Sequence, residues 1–292
     1  MDNIDTKIEE ARKTFMAFYK KQRLYNNIAF VLVIVLIIAS YVVLQAWLGQ
    51  NYLALGSVAV ILVLLFVYSR ISRTKMEKLT KEYITQYYGL MKEKAFPEDR
   101  FPKATIDFDR KLDLSVFTDA GILKEIVRIN TRGIVSFDYR GNEATACDMA
   151  AYRSADGKQT PSFLGKFITV PLKLNLSGRI LVYIKPKVQA KGPDVLDDLI
   201  KIEETDRYII YATDSASFKT LPPGFVHLID SLNVDDLLVD ATFSIHPEQT
   251  QVALSYTDAL MVIPLQNAFD PASSDQYAKN LQSTLAILDS LK

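Results

Sequence analysis

From Leu24 to Ser69 the chain carries no Asp, Glu, Lys or Arg over 46 residues. Within that run lie two apolar stretches, Ile28–Leu48 and Tyr52–Tyr68, separated only by Gly49-Gln50-Asn51. At the helical rise they reach roughly 31 and 26 Å, against a bilayer hydrocarbon core of about 30 Å. A lipid-facing backbone must satisfy its own hydrogen bonds, and a helix does so where a loose strand does not. The run therefore predicts a transmembrane helical hairpin with spans 28–48 and 52–68. A cleaved leader is disfavoured, because the run is too long, starts after 27 residues and lacks a short polar cleavage region. A hairpin that enters the bilayer without crossing it is the competing geometry, since the second arm is short. Trp47 and Tyr52 flank the turn, and Tyr25 and Tyr68 mark the other ends, as interfacial aromatic belts would.

Charge sets the orientation. Arg12, Lys13, Lys20, Lys21 and Arg23 precede the first span, Arg70, Arg73, Lys75, Lys78 and Lys81 follow the second, and the turn is uncharged. Positive flanks stay on the cytoplasmic side, so both termini are expected there. Residues 1–95 hold 13 Lys and Arg against 7 Asp and Glu, a net +6, while residues 96–292 hold 21 against 27, a net −6. A basic collar next to the membrane suits anionic lipid head groups, and Lys20, Lys21, Arg23, Arg70 and Arg73 are the expected contacts. The acidic distal part has no basic stripe and is not expected to bind nucleic acid. One cysteine, Cys147, excludes an intrachain disulfide.

The flanks of the hairpin are helical in pattern. Ile4, Ile8, Ala11, Phe15 and Phe18 recur every three or four residues, as do Met76, Leu79, Tyr83, Tyr87, Leu90 and Met91. Both segments should continue their membrane helices and pack together as a short stalk, which makes 1–95 one domain. Pro97 and Pro102 then end the second helix, and residues 96–292 form a second, cytoplasmic domain. Its expected strands are Ala104–Phe108, Ile126–Ile129, Ile134–Tyr139, Ala144–Tyr152, Phe163–Val170, Arg179–Ile184, Arg207–Ala212, Leu238–Ile245, Gln251–Tyr256 and Leu260–Leu265. Gly141-Asn142 and Pro247-Glu248-Gln249 read as tight turns, and Asp156-Gly157 as part of a longer loop. Helices are expected at Asp194–Ile202, from Asp214 to Leu221, from Pro222 to Leu232, and from a Ser273 or Ser274 cap to Leu291. Asp113–Leu123 stays ambiguous, and two subdomains meeting near Lys185–Asp206 stay open. Hairpin-linked strands with helices set apart predict an α+β class with a mainly antiparallel sheet.

Catalytic signatures are missing from the sequence. The 11 glycines form no phosphate-cradling loop, there is no GxSxG elbow, and two histidines with one cysteine cannot build a usual structural zinc site. His227 reads as an ordinary, partly buried helix residue, His246 as a surface turn residue, and Cys147 as core. The pairs Asp197-Asp198, Glu203-Glu204 and Asp235-Asp236 point adjacent side chains in different directions, so each pair should be solvated or capping rather than metal-binding. No cofactor and no catalytic or metal residue is expected.

The layout resembles the bacterial two-span membrane proteins catalogued as domain of unknown function 3137. The resemblance lies in the hairpin, in Phe163-Leu164-Gly165-Lys166-Phe167, in Leu176-Ser177-Gly178-Arg179-Ile180-Leu181-Val182 and in Tyr211-Ala212-Thr213-Asp214. It implies a bacterial inner-membrane protein and carries no functional residue with it. The expected function is a membrane-anchored cytoplasmic interaction or scaffold module with a protein partner, and self-association is compatible with that. A membrane-bound enzyme with an unrecognised carboxylate or metal site is the alternative, together with membrane remodelling by the basic amphipathic helices.

Overall fold

The computed structural model describes residues 3–48, 51–101, 103–155, 157–186, 196–229, 232, 238–257 and 269–291. The class is α+β. Two long helices, α1 (Asn3–Leu48) and α2 (Asn51–Ala95), precede β1 (Thr105–Asp107), α3 (Leu114–Asp119), β2 (Ile126–Tyr139), β3 (Asn142–Ala155), β4 (Lys158–Val170) and β5 (Ile180–Ile184). There follow β6 (Ile200–Glu204), β7 (Tyr208–Ala212), α4 (Ser215–Lys219), α5 (Pro223–Ile229), β8 (Leu238–Ile245), β9 (Thr250–Tyr256) and α6 (Pro271–Asp289). The described chain falls into two compact units. One takes in the residues up to Tyr87 together with Phe269, and the other starts at Tyr88, inside α2.

In the first unit α1 and α2 run antiparallel. The rings of Phe15 and Tyr83 stack with centroids 4.7 Å apart, and nearer the chain turn Gln22 meets Ser72. The stalk expected from the apolar spacing is present: Ile8, Ala11, Phe15, Tyr83 and Tyr87 are buried. Phe18 departs from the stripe. It is exposed, and its ring lies under the Lys75 ammonium at 5.4 Å. A cation can hold an aromatic face at the surface in this way, which apolar periodicity alone does not reveal.

The second unit is built on one nine-stranded sheet among the described residues, in the order β1-β2-β3-β4-β9-β8-β5-β7-β6, with every neighbour antiparallel. Both faces of its centre are buried. Val252, Leu254, Phe243 and Ile168 join α6 through Leu281, Leu285 and Leu288 in one core. Ala253, Cys147 and Phe167 join Phe117 of α3 in the other. Ala95 and Phe96, at the end of α2, also belong to the first of these cores.

Several expected boundaries move. Ile126–Ile129 and Ile134–Tyr139 are one strand, β2, which bulges between Arg132 and Val135 around Gly133 at φ +56°. Asp156 of the expected Asp156-Gly157 loop lies outside the described residues; on either side of it Ala155 and Lys158 pair directly. The turn between β2 and β3 is Arg140-Gly141, with both φ values positive, as a type I′ hairpin requires. The helix expected at Asp194–Ile202 is replaced in its described part by a turn and the edge strand β6, whose charged residues conceal the alternation. The two-subdomain idea falls as well: β5 and β7 pair side by side in the one sheet, with the Lys185 N–H donating to the Arg207 carbonyl at 2.7 Å. Helix α6 is capped by Asp270, not by a serine; its side chain accepts the Ala272 N–H and Pro271 opens the helix. Leu260–Leu265 and Asp235-Asp236 lie outside the described residues.

Candidate membrane anchor and its polar clasp

Among the described residues one helix, α1, is long and apolar enough to cross a membrane, and none of its apolar stretch is buried inside the protein. Its side chains stand open, Ile38 at 58% exposure, and so does the matching part of α2, with Phe66 at 64%. In water such a surface would be strongly unfavourable, whereas lipid tails solvate it at no cost. The side chains of Trp47 and Tyr52 lie outside the described residues.

Where the apolar stretch meets the stalk, four polar side chains close on one another. Asn26 Oδ1 accepts from Ser72 Oγ at 2.8 Å, from Gln22 Nε2 at 3.3 Å and from Tyr68 Oη at 3.3 Å, while Gln22 Nε2 also donates to Ser72 Oγ at 3.1 Å. Gln22 and Ser72 are buried. A polar set of this kind between apolar helices fixes register, because any slip leaves a buried donor unpaired. Apolar periodicity and charge do not reveal it. Its only sequence signal is Gln22 and Asn26 at i, i+4, with Asn26 inside an uncharged apolar run.

The clasp places the two basic flanks at one level. Lys20, Lys21, Arg23, Arg70 and Arg73 are all exposed around it. Arg73 is ion-paired with Glu77 through Nε at 2.9 Å, and Lys21 lies over the Tyr25 ring at 5.9 Å. Glu9 is held by two hydrogen bonds from Arg12, at 2.6 and 2.7 Å, and accepts the Phe269 N–H. The Arg12 bonds hold its carboxyl at about 2, below the usual carboxylate range.

The sheet unit holds the other chemistry-bearing residues, and it keeps them apart. Cys147 is buried in the core, where the loss of solvent pushes its thiol up to about 12. His227 is exposed on α5, where the sequence suggested partial burial. The adjacent carboxylates diverge as expected: Asp197 goes to Lys124, Asp198 to Arg179, Glu203 to the Tyr208 hydroxyl and Glu204 to Lys185 and Lys201. Among the described residues no three His, Cys, Asp or Glu side chains gather where a metal ion could sit. One ion pair is deeply buried, Asp148 of β3 with Lys166 of β4 at 3.0 Å.

His246 is not the surface residue its turn position suggested. It is half-buried, and its Nε2 sits 3.0 Å from Ser244 Oγ, whose hydroxyl donates to the Ala120 carbonyl. Burial, then the nearby Arg179 guanidinium, hold the imidazole below its usual value, with Ala120 and Asp119 opposing. The sign follows from linkage. As pH falls through 6.5, the unfolded imidazole takes up a proton that the folded one resists, so the unfolded state binds more protons and stability drops. His246→Asn is expected to lose less stability than the parent between about pH 7 and 5.5, measured as the shift in urea midpoint across that range. An unchanged pH dependence would place the titrating group elsewhere.

The sheet is open at its β2 edge. β1 covers only Ile134–Ser136, and Ile126–Asn130 has no backbone partner on its outer side among the described residues. Val127 there is 47% exposed. Arg128 lies inside the open stretch and Arg132 two residues beyond it; Arg128 sits over the Tyr152 ring at 5.8 Å and donates to Asn130 and Gln159. β2 has a register shift of its own between Ile126 and Arg128, and the opposite edge, β6, has one between Lys201 and Glu203; what sets β6 apart is charges of both signs, a usual means of keeping an edge from pairing.

No family model matches the chain, and no curated protein matches it. Among solved structures it is similar to the crystal structure of the mycobacterial trehalose monomycolate transport factor A, TtfA, with a TM-score of 0.38 and 13% identity over 69% of this chain and 94% of that one. At that distance the likeness carries no function.

Proposed function

We propose that this protein is a membrane-anchored docking module, held by the α1–α2 hairpin and recruiting an acidic, extended protein segment to the open β2 edge. The observation that carries this reading is the edge itself: unpaired backbone from Ile126 to Asn130, with exposed Val127 and Arg128 inside the stretch and exposed Arg132 just beyond it. An added strand would gain main-chain hydrogen bonds and meet the arginines with its carboxylates. Self-pairing of this edge would set arginine against arginine, which disfavours a second copy at this place. In the same reading the hairpin crosses a bacterial inner membrane twice, both termini are cytoplasmic, and Lys20, Lys21, Arg23, Arg70 and Arg73 rest on anionic head groups. The resemblance to the two-span family belongs with it.

A photo-crosslinking side chain at Val127 in intact cells tests the docking. One discrete adduct is expected, lost in Arg128→Glu and retained when the crosslinker background carries Arg207→Glu, away from the edge. Adducts indifferent to Arg128→Glu would sink the edge as the docking site. The topology is read in the same cells: Gln50→Cys should label with an impermeant thiol reagent from outside. Cys147 is buried and should stay silent.

A further inference from the structure

Beside the clasp, on the hairpin face, lies an elongated groove of 590 Å³. We propose that it binds a single anionic phospholipid of the bilayer, with an acyl chain along its apolar walls and the phosphate at Arg73. This rests on the reading that the hairpin is inserted in a membrane. The volume lies within the range of sites that hold small molecules.

The lining turns from apolar to polar along its length, and Met76 follows beyond the polar part. From Leu62 the α2 wall passes through Leu65 and Phe66, facing Phe30 of α1, and then reaches Ser69 and Arg73. These positions recur every three or four residues, so they form one stripe on α2. From Leu62 to Arg73 the stripe extends about 16 Å along the helix axis. An apolar trough that runs from Leu62 into the polar set Ser69, Ser72 and Arg73 matches an extended acyl chain ending in a phosphate. It is a poor match for another helix, which would have to bury its own backbone against Arg73.

The polar end offers donors. Asn26 Oδ1 is saturated by Ser72, Gln22 and Tyr68, so what Asn26 can still give is its amide N–H. Ser69 offers a hydroxyl. Glu77 takes Arg73 through Nε, which leaves the terminal guanidinium nitrogens for a second acceptor. Phosphate and ester carbonyl oxygens only accept, so the two sets are complementary, and guanidinium binds phosphate in a forked geometry. The flanking Arg70 adds positive charge and favours a head group without a compensating cation.

The test uses the full chain in mild detergent, stripped of lipid and then offered equal phosphatidylglycerol and phosphatidylcholine, with retained lipid read by native mass spectrometry. One phosphatidylglycerol per chain is expected, favoured over phosphatidylcholine by about fivefold, the factor for one cation at the membrane surface. Leu65→Trp, which fills the apolar trough, should abolish retention of both lipids. Arg73→Gln should keep a lipid but lose the preference. Equal retention of the two lipids by the parent chain, or undiminished retention in Leu65→Trp, would overturn the proposal; so would a chain dimer that excludes lipid. Carbonate extraction of membranes from the same cells separates the two claims. A parent chain that is extracted refutes the membrane reading, and one that resists extraction but retains no lipid refutes the groove alone.

Discussion

Gly165→Ala is expected to prevent stable folding of the sheet unit. A methyl group built on Gly165 would stand 1.9 Å from the Leu254 carbonyl oxygen and 2.9 Å from the Phe163 ring. The obstacle is backbone, not the end of a flexible side chain. β4 and β9 pair through this point, with Gly165 opposite Ser255 and Lys166 opposite Leu254. The strands would have to separate at the centre of the sheet, breaking the ladder and opening both cores. Ordinary overpacking costs about 1–3 kcal/mol; displacement of a ladder strand should exceed that, a large share of a domain's whole stability. The measurement is the yield of folded protein and the urea midpoint of the detergent-solubilised chain. Gly157→Ala is the control. This glycine, unlike Gly165, has a positive φ, but an added methyl group meets nothing within 4 Å, so its cost is limited to backbone strain of about 1 kcal/mol. Equal effects of the two substitutions would show that β4 and β9 do not approach so closely.

The second large effect concerns the Asp148–Lys166 pair. Its members are 6% and 5% exposed, 3.0 Å apart and directly opposite across β3 and β4. Arg132 lies opposite Asp148 on β2, so a short row of charges crosses three strands. Asp148 Oδ1 takes the lysine, and Oδ2 is buried with no hydrogen-bond partner among the described residues. Burial pushes the Asp148 carboxyl above its usual range, with Lys166 opposing. Asp148→Ala should therefore cost about 3–5 kcal/mol, because it strands a buried ammonium. Lys166→Met should cost about as much by stranding the carboxylate. The double variant Asp148→Leu with Lys166→Met is expected to recover most of the loss, since a hydrophobic replacement of similar volume pays no desolvation. Midpoints from thermal or urea unfolding of the four chains decide it. Single variants within about 1 kcal/mol of the parent would mean that water reaches the pair.

Most of the architecture could be read from local pattern. The uncharged run and its basic flanks announce the hairpin, and apolar spacing of three and four places Ile8, Ala11, Phe15 and Tyr83 on the stalk interface. Period-two alternation and turn residues locate β1 through β5 and β7 through β9, and Asp214 declares itself as the cap of α4. β6 escaped because an edge strand buries little. Ile200-Lys201-Ile202-Glu203-Glu204 carries the charges that edges use against pairing, and charges at that density read equally well as an exposed helix. The final helix is legible from its apolar spacing but its cap is not, since Asp270-Pro271 and the following serines compete as start signals and only backbone geometry separates them.

Residue type and short-range spacing decided what each segment would be: helix, strand or turn, exposed or core. Those properties arise within a few residues, where side-chain direction follows the period of the backbone. Tertiary structure decided who meets whom. The clasp joins Gln22 to Ser72 across 50 positions, the buried pair joins Asp148 to Lys166 across two strands, and Gly165 is forced by Leu254, almost 90 residues away in the chain. The open β2 edge is likewise a property of the whole sheet, because it exists only where β1 stops short of Ile126–Asn130. Each of these depends on strand order and helix register. Contacts between distant parts of the chain set both, and no local period encodes such contacts.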